Sequence, residues 1–508
     1  MNMDARVILA VDEGTTGTRA ALVDEHGAVS AIHYRRLAVT SPASGTVEQD
    51  AWQILHSTVE VIKAAVADAR SAGQQIIALA IASQRATSVL WDSRTGRPLV
   101  PAMAWQDTRY SGDVARLGLE WDDRLVPATG RPAGVRSSYL WAARHLALTP
   151  EVRAARDANR LMFGSIDTWL LWHLSTGSTH VTSATNASAS GGYILAEHRY
   201  YDAWLNAVGM PLDLLPTLVD DNQEVGITRA DLVGVAVPIK AVIGDQHAAL
   251  IGLGAIKTAD ATVVHGTGSF CDLILGHRPP PSTQYAATLA LLAWRANGIP
   301  MYAVETYAPT TGSALGWMCD RGGWFDSPEQ ISRLAIEAID SAGVTCIPAL
   351  AGLRAPELSP TLRGSLSGIS LSTTREQIAF AVLEGIAHSV ADAMHCNAQV
   401  TTRETVNVRV GGGLAASDPL LQLQADLTGV PMERQAGADS ATLRGAAFLA
   451  GSTGLLWQSL ADATRLLRPD QVFMPAICAD ARAERRATWE IRLRAELGAA
   501  RQSEGAIS

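Results

Sequence analysis

Two widely separated segments of this 508-residue chain repeat one construction: an apolar strand, a glycine/threonine turn, and a returning apolar strand. In the first, Val7–Val11 leads through Gly14-Thr15-Thr16-Gly17 to Ala20–Val23. In the second, Ala261–His265 leads through Gly266-Thr267-Gly268 to Phe270–Leu275. Each unit heads a half-chain, so the pair predicts two related lobes facing one another. A chain of this length exceeds what a single hydrophobic core organises, which agrees with two domains. The expected break falls near Gly244–Lys257, dividing the chain into residues 1–247 and 248–508.

Between the turns, buried-strand signals alternate with helical ones. Trp52, Leu55, Val59, Ile62 and Val66 recur at helical spacing behind Asp50, a suitable N-cap. Ile76–Ile81 reads as a strand buried on both faces, ending at Ser83-Gln84-Arg85, and Val237–Ile243 as another that leads into a helix over 246–253. This alternation predicts α/β layers around central sheets. A third glycine turn, Gly411-Gly412-Gly413, follows the alternating Val406, Val408 and Val410. The Ala/Arg-rich end after Asp480 is expected to be an exposed helix.

Several function classes drop out. The net charge is −9 with no basic block, so neither a nucleic acid nor a membrane surface is an expected partner. No apolar run approaches the length needed to cross a bilayer. Cys271, Cys319, Cys346, Cys396 and Cys478 are widely separated and form no CxxC pair, which fits neither a disulfide framework nor a zinc site. A reduced, cytoplasmic protein is the expectation. The only lysines are Lys63, Lys240 and Lys257, and none follows a glycine, which excludes a GxxxxGK[ST] loop. No GxGxxG opens a helix after a strand either.

A Gly/Thr turn between strands directs successive backbone N–H groups and hydroxyls into one concavity, a suitable seat for phosphate. Asp12 ends the first strand just before its turn. A carboxylate there holds Mg²⁺ against bound phosphates or, alternatively, caps the turn. Asp245 stands at the end of an apolar strand and the start of a helix, where open α/β sheets place their ligands. It can accept a hydroxyl proton as that hydroxyl attacks a phosphoryl group, or act as a plain helix N-cap. Position alone leaves both roles open.

Taken together, these features resemble the FGGY carbohydrate kinases, with the glycerol-kinase branch nearest. The resemblance runs along nearly the whole chain. Its motifs are Val11-Asp12-Glu13-Gly14-Thr15-Thr16-Gly17-Thr18-Arg19, Ser83-Gln84-Arg85, Trp105-Gln106-Asp107-Thr108-Arg109 and Phe163-Gly164-Ser165-Ile166-Asp167-Thr168-Trp169. Thr185-Asn186-Ala187-Ser188, Gly244-Asp245-Gln246, Gly266-Thr267-Gly268 and Gly364-Ser365-Leu366-Ser367-Gly368-Ile369 through Glu384 complete the series. The resemblance implies an α/β fold of two actin-like, ribonuclease-H-type lobes with the active site in the cleft between them. It implies ATP and Mg²⁺ as cofactors and a small polyol or sugar as acceptor, and leaves a homo-oligomer open. Asp245 would be the catalytic base and Asp12 the magnesium-side carboxylate. Thr15, Thr16, Gly17, Arg19 and Thr267 would face the transferring phosphate; Gly312, Gly413 and Ser417 would line the nucleotide site. Arg85, Trp105 and Gln246 would hold the acceptor, with Asp107 and Arg109 as a supporting ion pair.

The departures from that family cluster around the acceptor. Glycerol kinases follow the Gln-Arg pair with Glu; here it is Ala86, which accepts no hydrogen bond. The tyrosine of the same pocket has no counterpart in Gly134–Tyr139, where Arg136 falls nearest and could reach an extra hydroxyl. Gly411 replaces the Asp of an Asp-Gly-Gly turn, Gly316 a Gln and Ser417 an Asn, and no Gly/Lys-rich regulatory loop appears around Thr228–Val237. The expected activity is phosphorylation of a primary hydroxyl, glycerol leading, with a tetritol, pentitol or ketose as alternative. An acceptor-independent ATPase and a non-catalytic binding protein on the same fold are the rivals.

Overall fold

A computed structural model describes residues 5–134, 137–280, 287–401 and 404–505. The N-terminal apolar run forms β1 (Arg6–Glu13), buried from Val7 onward. It is joined by β2 (Gly17–Asp24), β3 (Val29–Arg36), β4 (Gln75–Ser83) and β5 (Ile239–Gly244) in the order β5-β4-β1-β2-β3. The hairpin strands pair antiparallel, whereas β1, β4 and β5 run parallel. Helix α1 (Ala51–Ser71) starts where the Asp50 carboxylate accepts from the Trp52 N–H at 2.8 Å, and it covers one face with Ile54, Val61 and Ile62.

After β5 the chain turns directly into α2 (Asp245–Leu253). The second sheet comprises β6 (Ala261–His265), β7 (Ser269–Gly276), β8 (Leu289–Ala296), β9 (Ile299–Ala308), β10 (Val408–Gly412), β11 (Met432–Gln435) and β12 (Pro469–Phe473). Its order is β8-β9-β7-β6-β10-β11-β12. Strands β9, β7 and β6 are antiparallel neighbours, and β6, β10 and β11 are parallel. Omitting the edges β8 and β12, this repeats the pattern of the first sheet. Each Gly/Thr turn joins the corresponding hairpin.

Three further helices matter below: α3 (Gly312–Asp320), α4 (Arg375–Ala398) and α5 (Ala441–Gly451). Helix α5 belongs to the second half of the sequence, yet Leu443, Ala447 and Phe448 share a core with Ile8, Ala10, Ala80 and Ile243 of the first sheet. Helices α2 and α5 cross between the sheets in backbone contact. A Cβ on Gly252 would lie 1.8 Å from the Ala441 carbonyl oxygen, and one on Gly445 1.8 Å from that of Ala248. The segment between β4 and β5 builds a side unit with its own core, including Trp121, Leu125, Trp141, Phe163 and Trp204.

The final helix, α6 (Ala479–Gly505), corrects the expectation of an exposed end. Trp489, Leu493 and Leu497, spaced one helical turn apart among charged residues, bury against Ile347, Ala349, Leu353 and Leu362. Trp489 stacks on His388 and donates to Asp392 Oδ2 at 2.8 Å. The stripe is only one residue wide, which is why the surrounding charge hides it. Among the described residues no helix is long and apolar enough to cross a membrane.

Candidate active site

Three parallel strands end together. Asp12 on β1 is in register with Ala82 on β4, Glu13 with Ser83, and Ser83 with Gly244 on β5. The residues that follow therefore collect at the carboxyl edge of the first sheet, where such sheets leave room for a ligand.

The first turn is closed by Gly14 N–H donating to the Gly17 carbonyl at 3.0 Å. Gly17 lets the Tyr34 ring lie over the turn, since a Cβ would come 2.1 Å from it and the ring would have to swing away. Across the hairpin Asp12 faces Arg19, whose Nε (3.2 Å) and Nη2 (2.5 Å) both donate to Asp12 Oδ2. Arg19 Nη1 also donates to the Asp439 carbonyl of the second lobe at 3.0 Å. Burial pushes the Asp12 carboxyl up, and the Arg19 guanidinium opposes that shift. Thr16 is exposed at the turn's tip, while Thr15 Oγ1 accepts from Trp105 Nε1 at 2.8 Å.

Asp245 is the first helical residue of α2; the cap position is Gly244, which has no side chain to offer. The carboxylate is thus free of the ordinary N-cap duty. Its Oδ1 accepts from the adjacent Gln246 N–H at 2.7 Å and lies 3.6 Å from Arg85 Nε. No hydrogen bond among the described residues ends on Oδ2. Burial pushes this carboxyl up to about 6, against the pull of Arg85. Behind it, Thr185 Oγ1 accepts from the Gly244 N–H at 3.0 Å and donates to the buried Asp221. That chain fixes the strand end presenting Asp245.

Arg85 is held on several sides. Nη1 donates to His247 Nε2 at 3.1 Å and Nη2 to Gln246 Oε1, while Glu305 Oε2 stands 3.7 Å from Nη2. His247 in turn places its Nδ1 3.2 Å from the Ala293 carbonyl. Burial and Arg85 push its imidazole well down, so it is neutral, with Nδ1–H donating and Nε2 accepting. Gly244 leaves room for the Arg85 stem: a Cβ there would lie 2.8 Å from Arg85 Cδ.

A polar chain joins the end of β1 to the segment carrying Trp105. Glu13, fully buried, is 3.4 Å from Gln84 Nε2; Gln84 Oε1 accepts from Thr87 Oγ1 at 2.9 Å, and Thr87 Oγ1 accepts from the Trp105 N–H at 3.1 Å. Asp107 and Arg109 form the expected supporting pair, with Arg109 Nη2 2.7 Å from Asp107 Oδ2 and 2.8 Å from Glu48 Oε1. Ala86 is buried at a positive φ of 61°, with its carbonyl accepting from Ser138 Oγ at 3.1 Å. Arg136 lies outside the described residues.

On the second lobe, Gly266 N–H donates to the Gly268 carbonyl at 2.8 Å and leaves Thr267 exposed at the turn. The Thr267 carbonyl accepts from the Thr311 and Ser313 N–H groups at the start of α3. A Cβ on Gly312 would lie 2.3 Å from the Gly266 carbonyl, so the helix start approaches the turn this closely only with glycine at that position. Gly413 and Gly316 by contrast face open space. Ser417 Oγ is 2.7 Å from Ser332 Oγ.

Sequence reasoning missed the second lobe's wall of the cleft. Alternation on β7 and β9 gives Phe270 and Tyr307 a stacked aromatic pair, centroids 5.4 Å apart, above the cross-strand pair Asp272 and Glu305. The only signal available was an acidic residue inside each of two otherwise apolar runs.

Among the described residues no cluster of three or more His, Cys, Asp or Glu side chains is arranged to hold a metal. Mg²⁺, however, typically takes one or two carboxylates plus phosphate oxygens and water. Asp12, with Arg19 confined to its Oδ2, fits that pattern.

Residues 7–252 match the N-terminal domain, and residues 261–453 the C-terminal domain, of the FGGY family of carbohydrate kinases. The chain is 34% identical over 488 residues to a glycerol kinase of Dechloromonas aromatica, covering 95% of this chain and 96% of that one. It is 36% identical over 488 residues to one of Trichlorobacter lovleyi, covering 95% and 97%. The crystal structure of Plasmodium falciparum glycerol kinase with ADP superimposes with a TM-score of 0.91 at 24% identity, covering 97% of this chain and 99% of that chain. A ligand-bound xylulose kinase of Lactobacillus acidophilus gives 0.85 at 22% identity, covering 99% and 100%. The two-lobed, actin-like architecture expected from the sequence is the one present.

Proposed function

Because this chain belongs to the FGGY family of carbohydrate kinases, we propose that it transfers the γ-phosphoryl group of ATP to a primary hydroxyl of glycerol, giving glycerol 3-phosphate. It is a phosphotransferase with an alcohol group as acceptor, and kinases of this family take the phosphoryl group from ATP. The observation that carries the reading is Asp245 at the joint edge of β1, β4 and β5, with Oδ1 steadied and Oδ2 free beside Arg85.

In this reading lobes 1–247 and 248–508 close on both substrates and exclude water, which would otherwise take the phosphoryl group. Asp245 accepts the proton of the attacking hydroxyl. Arg85 and Gln246 orient the acceptor's hydroxyls and Trp105 covers its carbons. The turn at Thr15, Thr16 and Gly17, with Arg19, and the turn at Thr267 direct backbone and hydroxyl dipoles at the transferring oxygens. Gly312, Gly413 and Ser417 lie along the nucleotide. Asp12 would hold Mg²⁺, which supplies charge neutralisation to the phosphate oxygens. Five cysteines without a disulfide suit a reduced cytoplasmic setting.

A second reading, a longer polyol or a ketose, is favoured by Ala86, which removes a hydrogen-bond acceptor from the first lobe's wall. The test is an ADP-release screen of the purified enzyme over glycerol, tetritols, pentitols and ketoses. Release dependent on glycerol supports the main reading. Release that no alcohol stimulates overturns phosphotransfer in favour of an ATPase.

A further inference from the structure

Glu305 is 5% exposed, and its Oε2 is buried with no hydrogen-bond partner among the described residues. Among the described residues the nearest cation, Arg85 Nη2, stops at 3.7 Å, its nitrogen already donating to Gln246 Oε1. Such a contact is beyond hydrogen-bond range. Directly across the sheet stands Asp272, whose Oδ2 has, among the described residues, only a long contact to Thr262 Oγ1 at 3.5 Å. Like charges facing each other across a pair of strands are unfavourable, and a buried acceptor without a donor is costly to keep.

The pair faces the cleft. Ile274 and Ala303, two positions along β7 and β9, pack in the core between the lobes, whereas the intervening Leu273 and Val304 pack in the core on the opposite side of the sheet. Alternation therefore directs Asp272 and Glu305 toward the first lobe, where the Arg85 contact finds them. Glu305 and Asp245 lie against the same guanidinium, one from each lobe.

We infer that Glu305 and Asp272 are the second lobe's half of the acceptor site, with Glu305 accepting a hydrogen bond from a hydroxyl remote from the one phosphorylated. The ligand group is an uncharged alcohol O–H: it donates into Oε2, fills the missing bond and brings no anion toward two carboxyl groups. Recognition then needs both walls, so acceptor identity is read as the lobes close. The inference rests on the alcohol-phosphorylating reading above.

The experiment compares glycerol with propane-1,2-diol, which lacks the third hydroxyl, using Glu305→Gln, Asp272→Asn and wild type. The expected result is a fall of about tenfold in the glycerol-over-diol ratio of kcat/KM for Glu305→Gln, together with glycerol binding by Asp272→Asn weakened about tenfold while ADP binding is retained. A ratio that does not change overturns the inference, whether both activities fall together, as they would if Glu305 acted only through Arg85, or neither moves, as with a carboxylate that merely binds water. Should Glu305→Gln fail to fold, glycerol binding by Asp272→Asn decides alone, and unchanged binding overturns the inference. Wild-type ADP release that ignores every alcohol would instead overturn phosphotransfer, and this inference with it.

Discussion

Arg85 Nε lies 3.6 Å from Asp245 Oδ1, and adjacent parallel strands deliver the two residues to that distance. The cation steadies one carboxylate oxygen and leaves the other open. It also opposes the burial that pushes the Asp245 carboxyl up to about 6.

Replacing that carboxylate isolates its role. Asp245→Asn is expected to lower turnover by about 10²–10⁴-fold, the usual contribution of a positioned general base. Titration calorimetry should find ADP binding within about threefold of wild type, a shift below 1 kcal/mol. Turnover close to wild type would remove Asp245 from the reaction.

The pH dependence has a definite sign. With its pKa pushed up to about 6, Asp245 is protonated below that pH, so kcat/KM should fall about tenfold per unit on the acid side. Stability runs the other way. The folded state holds this proton more tightly than the unfolded chain, so the group's contribution is fully present below the ordinary value of 3.8 and lost as pH rises through about 6. Asp245→Asn should therefore be more stable than wild type at pH 8 by about 1–2 kcal/mol, a figure reduced because solvent still reaches part of the side chain. Urea titrations of both proteins at pH 8 check it.

Trp105 Nε1 donates to Thr15 Oγ1 at 2.8 Å, a bond that ties the proposed acceptor wall to the proposed phosphate turn. Trp105→Phe and Thr15→Val should each weaken both ATP and acceptor, with a coupling of about 0.5–1.5 kcal/mol in a double-mutant cycle on kcat/KM. Strict additivity would mean that the two walls act independently.

Gly445→Ala should destabilise the protein by at least about 2 kcal/mol, read as a lowered urea midpoint, because the new methyl would meet a backbone carbonyl 1.8 Å away that cannot rotate aside. Activity should fall with it, since the helix displaced begins at Asp245.

Both Gly/Thr hairpins, the α/β alternation and Asp245 at a strand–helix junction were legible in the sequence because each depends on local chemistry: turn glycines, strand-length apolar runs and a polar residue at a fixed offset. The grip of Arg19 on the Asp439 carbonyl, 420 residues away, has no local signature. Neither do Asp272 and Glu305, whose partnership exists only because β7 and β9 pair in one register. The buried stripe of α6 was masked by arginines on the remaining faces. Glu13 is hidden in another way: next to Asp12 it reads as one more polar turn residue, yet it is fully buried beside Gln84.

Helix α5 closes the inner face of the first sheet with residues 441–451. During synthesis from the N-terminus, Ile8, Ala10, Ala80 and Ile243 emerge long before their cover does. The nascent amino-terminal half must carry a wet apolar face until nearly the entire polypeptide has left the ribosome, which exposes it to aggregation. Splitting the gene between the two sheets would therefore yield fragments that need each other to become native.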